Sequence, residues 1–312
     1  MPFPIRMIAV DLDGTLLSSE ARVSPRNLAA LLAAEAAGIH IAIATGRRHC
    51  YAMRVLRDLG LDTRNTLISS NGAVTRTLDH RQLDRMHLPA ATALWLCEHI
   101  RDYRNALVVT FDRVGPNGED APGSLVVEHL DELHASIGKW MTANQPYIAQ
   151  VDPIEQALQH DPPIQMMLCG TLDRMRRAEA RLLGHEGVSA EGVTPLERIH
   201  TAEVALHRTE YPERDLCIVD ILPAGCSKGA ALLRLAHAHD VETEEILAIG
   251  DNWNDVSMLE AAGSALIMAN APAGLREMAH RRGWQIGLDH NRDGVAVALE
   301  NLLQTPELTA AE

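Results

Sequence analysis

Asp11 and Asp13 are the first residues in this chain whose types and spacing could do chemistry. They stand two residues apart in Asp11-Leu12-Asp13-Gly14-Thr15, directly after an apolar run at residues 5–10. Such a run, rich in β-branched residues, predicts a buried strand. Two carboxylates crowded at its end are costly unless a cation compensates them or one carries a proton. Carboxylate oxygens suit a hard cation such as Mg2+. One carboxylate can then act as a nucleophile while the other moves protons. The alternative is a solvated acidic turn, since Asp-Gly is also a turn dipeptide.

Three further groups carry possible chemistry. Thr45-Gly46-Arg47 follows a second apolar run, at 39–44. A hydroxyl and free backbone N–H groups at a strand-to-helix junction can hold phosphate oxygens. A Thr cap beside a solvated Arg reads equally well. Lysine occurs only at 139 and 228, and Lys228 opens a predicted helix. A cation there opposes the helix dipole, so an anionic site should compensate it unless the lysine is simply exposed. Gly250-Asp251-Asn252-Trp253-Asn254-Asp255 follows the run at 246–249. Asp251 is placed to ligate a metal, and Asn254 and Asp255 to reach phosphate or metal-bound water. Helix capping by Asp and Asn is the competing reading.

The elements that must position these residues are legible from pattern. Ser24 and Pro25 start a Leu/Ala-rich helix at 26–37, and Gly38 stops it. A helix at 48–59 ends at Gly60, and a short strand at 66–69 runs into Ser70-Asn71-Gly72. Strand, helix, strand, helix, strand signals a parallel sheet in an α/β domain. From about residue 84 the order becomes mixed, with helices at 90–101 and 173–183, strand-like runs at 106–111 and 164–168, and turns such as Gly115-Pro116-Asn117-Gly118. From Lys228 the α/β order returns: helix 229–239, strand 246–249, helix 255–262, strand 265–268, and helices 273–279 and 294–303. The expected architecture is α/β: a Rossmann-like three-layer core with a parallel sheet, formed by residues 1–83 and 222–312. An α+β domain at 84–221 is inserted into it. Lys228 aside, the chemistry-bearing residues fall at the carboxyl ends of predicted parallel strands, where open α/β sheets bind ligands. The tail after Gln304 is small and polar and is expected to fray.

Composition narrows the function. The 312 residues carry 42 acidic and 28 basic side chains, a formal net charge of −14, which disfavours nucleic acid and anionic membrane as partners. Aromatics are 3%, too few for a base-stacking platform. No uncharged run is long and apolar enough for a membrane span, and the opening MPFPIRMIAV lacks a signal-peptide layout. Five scattered cysteines without C-x-x-C suggest free thiols in a reducing cytoplasm.

Taken together and in order, Asp11-Leu12-Asp13-Gly14-Thr15, Thr45, Lys228 and Gly250-Asp251-x-x-Asn254-Asp255 resemble the haloacid dehalogenase superfamily. Ser69-Ser70-Asn71-Gly72-Ala73, Gly225-Cys226-Ser227-Lys228-Gly229, Asp255-Val256-Ser257-Met258-Leu259 and Asp293-Gly294-Val295-Ala296 are similar to stretches of its Cof-type sugar phosphatases (subfamily IIB, with a C2 cap). The resemblance covers both core segments; in the inserted region it rests on position and size. Met268-Ala269-Asn270-Ala271 departs from the M-G-N-A usual there, which matters only if the backbone needs positive φ.

The resemblance implies a Mg2+-dependent phosphatase acting on small phosphate monoesters, such as sugar or metabolite phosphates, through an aspartyl-phosphate. Asp11 would be the nucleophile, Asp13 the acid and then the base, Thr45 a phosphoryl contact and Lys228 the charge partner. Mg2+ would be held by Asp11, the Asp13 carbonyl and Asp251, with Asp255 acting behind them or through water. Thr15, Gly46, Arg47, Asn71 and Asn254 would lie at the substrate. The partner would be a small phosphorylated metabolite, and the inserted domain a cap that shapes specificity. A phosphomutase of the same superfamily and a non-catalytic phosphate-binding module are the alternatives. The cap histidines 129, 134, 160, 185, 200 and 207 show no H-x-x-x-H ligand spacing and read as surface or core residues. The physiological substrate and the oligomeric state lie beyond the sequence.

Overall fold

A computed structural model describes residues 5–115, 118–129, 137–190, 194 and 201–304. Pro116 and Asn117 of the turn cluster, His134, His200 and the tail after Gln304 lie outside the described residues. The chain divides into two compact units, residues 1–84 with 227–312, and residues 85–226.

The first unit is built on an eight-stranded sheet. Strand β1 (Met7–Asp11) lies at its centre, paired in parallel with β2 (His40–Ala44) on one side and β13 (Ile246–Gly250) on the other. Parallel pairing continues through β3 (Thr66–Ser69) on the first side, and through β14 (Ser264–Ile267) and β15 (Gln285–Ile286) on the second. Val10 lies level with both Ile43 and Ile249. The chain leaves β1 toward one edge and later returns on its other flank, so the topological switch point falls at Asp11. An open α/β sheet offers its ligand crevice at that point.

Near-continuous apolar runs form these strands because both sheet faces are covered. Ile8, Val10, Ile41 and Ile43 pack on one face with Leu31 of α1 (Pro25–Ala36), Met53 of α2 (His49–Leu56) and Leu299 of α9 (Gly294–Gln304). Met7, Ala9, Ala42 and Ala44 pack on the other with Leu232 of α6 (Lys228–Ala238), Leu259 of α7 (Val256–Ala261) and Leu275 of α8 (Ala273–Arg282). This is the three-layer α/β core that the pattern predicts. Helix α1 starts as expected: the Ser24 side chain accepts from the Asn27 N–H at 3.0 Å, and Pro25 fills the first turn.

Several features depart from the sequence reading, among them β15, which it lacked, and α8, which runs to Arg282 instead of 279. Helix α2 stops at Leu56 instead of 59, where Leu59 N–H turns back to the Leu56 carbonyl. Beyond β3 the sheet gains β4 (Val74–Thr77), antiparallel to β3, and then β5 (Gln82–Arg85) at its edge. Both are short and polar, with no periodic signal, although Arg76 of β4 is buried.

The second unit carries a seven-stranded sheet. Its strands are β6 (Leu107–Thr110), β7 (Leu125–Val127), β8 (Ile148–Gln150), β9 (Gln165–Gly170), β10 (Val188–Ala190), β11 (Val204–Tyr211) and β12 (Leu216–Pro223). The order is β10-β11-β12-β9-β6-β7-β8, antiparallel from β11 through β7. Helices α3 (Ala90–His99) and α5 (Leu172–Leu183) cover one face through Leu96, Met175 and Leu182, while α4 (Gly138–Asn144) precedes β8. This is an α+β unit within the α/β chain. All five cysteines are buried and free.

Candidate active site

The site is assembled from loops that follow β1, β2, β3 and β13, together with the first turn of α6. Asp11 is the last residue of β1 and is buried. Lys228 is the first residue of α6 and is fully buried. Its ammonium donates to Asp11 Oδ1 at 2.5 Å and to Asp255 Oδ1 at 2.6 Å. A lysine at a helix N-terminus opposes the dipole, and these two carboxylates supply the compensation. The Ser227 side chain caps the same helix by accepting from the Ala230 N–H.

Asp251 follows β13 and sits beside Asp11. Its Oδ1 accepts from Thr15 Oγ1 at 3.0 Å and its Oδ2 from Asn270 Nδ2 at 3.2 Å. Both Asp255 oxygens are engaged: Oδ1 by Lys228, Oδ2 by the backbone N–H groups of Asp251 and Asn252 at 2.9 and 3.0 Å. Asp255 therefore braces the loop that presents Asp251.

Glycine is required where these loops meet. Gly14 has φ +83°, and a Cβ there would lie 2.4 Å from Asp251 Oδ2. Gly72, at φ +101°, would put a Cβ 2.2 Å from the Ser227 carbonyl oxygen.

Thr45 is buried at the end of β2. Its hydroxyl accepts from Arg47 N–H at 3.1 Å, and its carbonyl accepts from Asn71 N–H at 3.0 Å. Asn71 takes φ +51°, and its side-chain Oδ1 accepts from Asn254 Nδ2 at 3.1 Å. A Cβ on Gly46 would press on the Asn71 amide at 3.3 Å. Arg47 reaches Asp13: Nε donates to Oδ2 at 2.7 Å and Nη2 donates to Oδ1.

Electrostatics set the character of the cluster. Burial, and then the charge of Asp255, push the Asp11 carboxyl up to about 7 despite Lys228. Burial, with Asp11 and Asp255, pushes Asp251 well above the ordinary carboxylate value. Burial opposes the charge on Lys228, yet the fields of Asp11 and Asp255 hold it above the ordinary lysine value. One carboxylate oxygen from each of Asp11, Asp251 and Asp255 lies within 4.8 Å of the others. Three acids against one lysine leave negative charge uncompensated, and an all-oxygen donor set of this kind suits a hard divalent cation. Asp11 and Asp251 are the members placed to offer oxygens: Asp255 turns one oxygen to the Lys228 ammonium and the other to two backbone N–H groups, while each Asp251 oxygen meets a single neutral donor.

The fold thus gathers Asp11, Lys228, Asp251 and Asp255 into one buried cluster, with the Thr15 hydroxyl donating to Asp251. It gathers Thr45, Gly46, Asn71 and Asn254 into a second hydrogen-bonded group. Asp13 is exposed and paired with Arg47. Sequence reasoning missed Asn270, which donates to both the Gly14 carbonyl at 2.8 Å and Asp251, and accepts from His290 N–H. It lies in the Met268-Ala269-Asn270-Ala271 stretch, which was the available signal. Ala269 takes no positive φ, so alanine is harmless there. Trp253 packs against the core beside α8. In the second unit, His207 Nε2 pairs with the Cys226 carbonyl, and His185 lies against Trp95. The Asp11 cluster is the only group with metal-ligand spacing among the described residues.

Comparison with known proteins fits this geometry. The family model for haloacid dehalogenase-like hydrolases matches residues 8–299. Phosphatase YwpJ of Bacillus subtilis is 30% identical, across 96% of this chain and 100% of its own. Pyridoxal phosphate phosphatase YbhA of Escherichia coli is 29% identical, across 88% of this chain and 92% of its own. The solved structure of a haloacid dehalogenase-like hydrolase from B. subtilis superposes with a TM-score of 0.73 at 23% identity. That match covers 96% of this chain and all of the other, and it speaks for the fold. With the family model spanning nearly the whole chain and the acidic cluster at the switch point of its sheet, this chain belongs to the haloacid dehalogenase-like hydrolases.

Proposed function

We propose that the chain is a Mg2+-dependent phosphatase that hydrolyses small phosphate monoesters, such as sugar or metabolite phosphates, through an aspartyl-phosphate on Asp11. The observation that carries this reading is Lys228, buried between Asp11 and Asp255 with Asp251 alongside. A pure phosphate binder has no use for a buried nucleophile candidate with an acid–base candidate two residues on. The relatives named above are phosphatases, which supports hydrolysis over return of the phosphoryl group to substrate.

In this reading Lys228 occupies Asp11 Oδ1, which leaves Oδ2 to attack phosphorus. The ester P–O bond breaks as the Oδ2–P bond forms. Asp13 gives its proton to the departing alkoxide and later takes one from the water that cleaves the aspartyl-phosphate, releasing inorganic phosphate. The Thr45 hydroxyl and the Asn71–Asn254 pair border the space for the phosphoryl oxygens. Mg2+, held by the Asp11 and Asp251 carboxylates and the Asp13 carbonyl, would offset charge on the carboxylates and the transferring group. Five free thiols and an acidic surface fit a cytoplasmic enzyme of small molecules. Among the described residues no helix is long and apolar enough to cross a membrane.

The test is phosphate release from a panel of phosphorylated metabolites, by wild type and Asp11→Asn, with Mg2+ or EDTA. Release that Asp11→Asn and EDTA each reduce to background is expected. No release from any compound by folded, Mg2+-loaded wild type would overturn the reading.

A further inference from the structure

Asn270 borders the acid cluster and is held from three directions. It stands in the turn after β14. The carbonyls of its two neighbours, Ala269 and Ala271, both accept from Arg276 Nη1 of α8, the first at 3.1 Å. On that seat the side-chain Nδ2 donates to the Gly14 carbonyl at 2.8 Å and to Asp251 Oδ2 at 3.2 Å, and Oδ1 accepts from the His290 N–H at 3.1 Å. A backbone N–H only donates and a carbonyl only accepts, so the amide has a single orientation. The loop that supplies His290 is itself fastened. The Ser19 N–H donates to Asn291 Oδ1, and Asn291 Nδ2 donates to Ser19 Oγ, each at 2.9 Å.

The consequence falls on Asp251. Its Oδ1 meets the Thr15 hydroxyl and its Oδ2 the Asn270 amide, both neutral donors, whereas Asp11 and Asp255 share the Lys228 ammonium. Neutral donors on both oxygens fix the plane of a carboxylate and leave its charge and a lone pair on each oxygen. The same amide grips Gly14, where a Cβ would stand 2.4 Å from Asp251 Oδ2. One side chain therefore sets the spacing between the loop after β1 and the loop after β13. We infer that Asn270 is a positioning residue for the divalent-cation site: it holds the Asp251 carboxylate in the orientation that a small, octahedral ion demands. The inference rests on the metal part of the proposed function. Mg2+ requires near-ideal octahedral geometry, while Ca2+ accepts variable geometry and ligand number. Without Asn270 the Asp251 charge persists, so the attraction for both ions persists. What is lost is orientation, and Mg2+ suffers more from that loss than Ca2+.

Calorimetric titration of metal-free protein with MgCl2 and, separately, with CaCl2 tests this without turnover. Asn270→Ala should weaken Mg2+ binding by roughly 10- to 100-fold. Ca2+ binding should fall by a smaller factor, so the ratio of Mg2+ to Ca2+ affinity drops. An unchanged Mg2+ affinity would overturn the inference. So would equal losses for the two ions, which a general loosening of the site produces. Should Asn270→Ala fail to fold, His290→Pro puts the same question. Proline lacks the N–H that fixes Asn270 Oδ1, and His290 stands at the first position of a short 3-10 turn, where proline is tolerated. Asp289 before it already has the extended φ −65° and ψ 148° that suit a residue preceding proline. The same drop in the ratio is expected, and the same two outcomes overturn it. Wild type that binds no Mg2+ would overturn the metal site and this inference together, whereas the other refuting outcomes leave the metal site standing.

Discussion

Replacing Lys228 with methionine removes one charge from the centre of the cluster and keeps most of the side-chain volume. In the wild type the ammonium lies 2.5 and 2.6 Å from two buried carboxylates, with Asp251 as a third acid nearby. Breaking a buried ion pair from one side costs about 3–5 kcal/mol, because the partner charge is left uncompensated. The acids can escape part of that cost by binding protons, which makes the loss depend on pH. Asp11 is raised from 3.8 to about 7, a shift on the order of 4 kcal/mol in proton affinity. A raised carboxyl contributes stability that is complete below its unfolded value and is lost as pH climbs through its folded one. Without Lys228 the Asp11 carboxyl rises further, so the penalty is greatest above pH 7 and shrinks as the cluster takes up protons. Urea unfolding of metal-free protein at pH 8 should show Lys228→Met less stable by about 3–5 kcal/mol. For a unit of 150–250 residues that is a drop in Tm of roughly 6–20 °C. At pH 5 less than half of the loss should remain. A loss under about 1 kcal/mol at pH 8, the scale of an exposed pair, would refute the reasoning. So would a loss that grows toward pH 5.

Other consequences follow from the same geometry. Asp251→Asn removes an acid that burial, Asp11 and Asp255 push upward, so metal-free protein at pH 8 should gain stability by urea unfolding. The same variant should lose the Mg2+-induced rise in Tm, and a persisting rise would count against Asp251 as a metal ligand. Gly72→Ala forces a Cβ to within 2.2 Å of the Ser227 carbonyl at φ +101°. It should cost about 2–4 kcal/mol by thermal or urea unfolding, and an unchanged midpoint would contradict the close approach. Burial, then the charge of His239, lowers His40 to about 4. Its neutral form therefore contributes stability that is complete above pH 6.5 and is lost as pH falls toward 4. His40→Gln should flatten that acid limb by about 1–2 kcal/mol after solvent screening, and parallel pH curves for the two proteins would rule it out.

The local chemistry and the α/β order were legible in the sequence because each rests on short-range signals. β1, β2, β3 and β13 are apolar runs that end on polar residues, and α1 carries its own Ser24 cap, Pro25 and Gly38 stop. Parallel strands buried on both faces must read as apolar runs, so the strand ends that hold Asp11, Thr45 and Asp251 could be numbered in advance. The same signals failed for β4 and β5, which are polar and find their places by pairing at the edge of a sheet already formed.

Tertiary structure alone decided what each side chain does. The sequence separates Asp11 from Lys228 by 217 residues, and only the sheet order, with β13 and β2 flanking β1, brings them to 2.5 Å. The Thr15 hydroxyl is bound to Asp251 across the sheet. Asp255 gives both its oxygens to Lys228 and to backbone N–H groups, and Asn270, with no charge to draw attention, ties Gly14 to Asp251. Spacing along the chain determines which residues stand at strand ends. Which oxygen faces which donor is set by packing, because hydrogen bonds require contact within about 3 Å and contacts of that length are made across strands and helices distant in sequence.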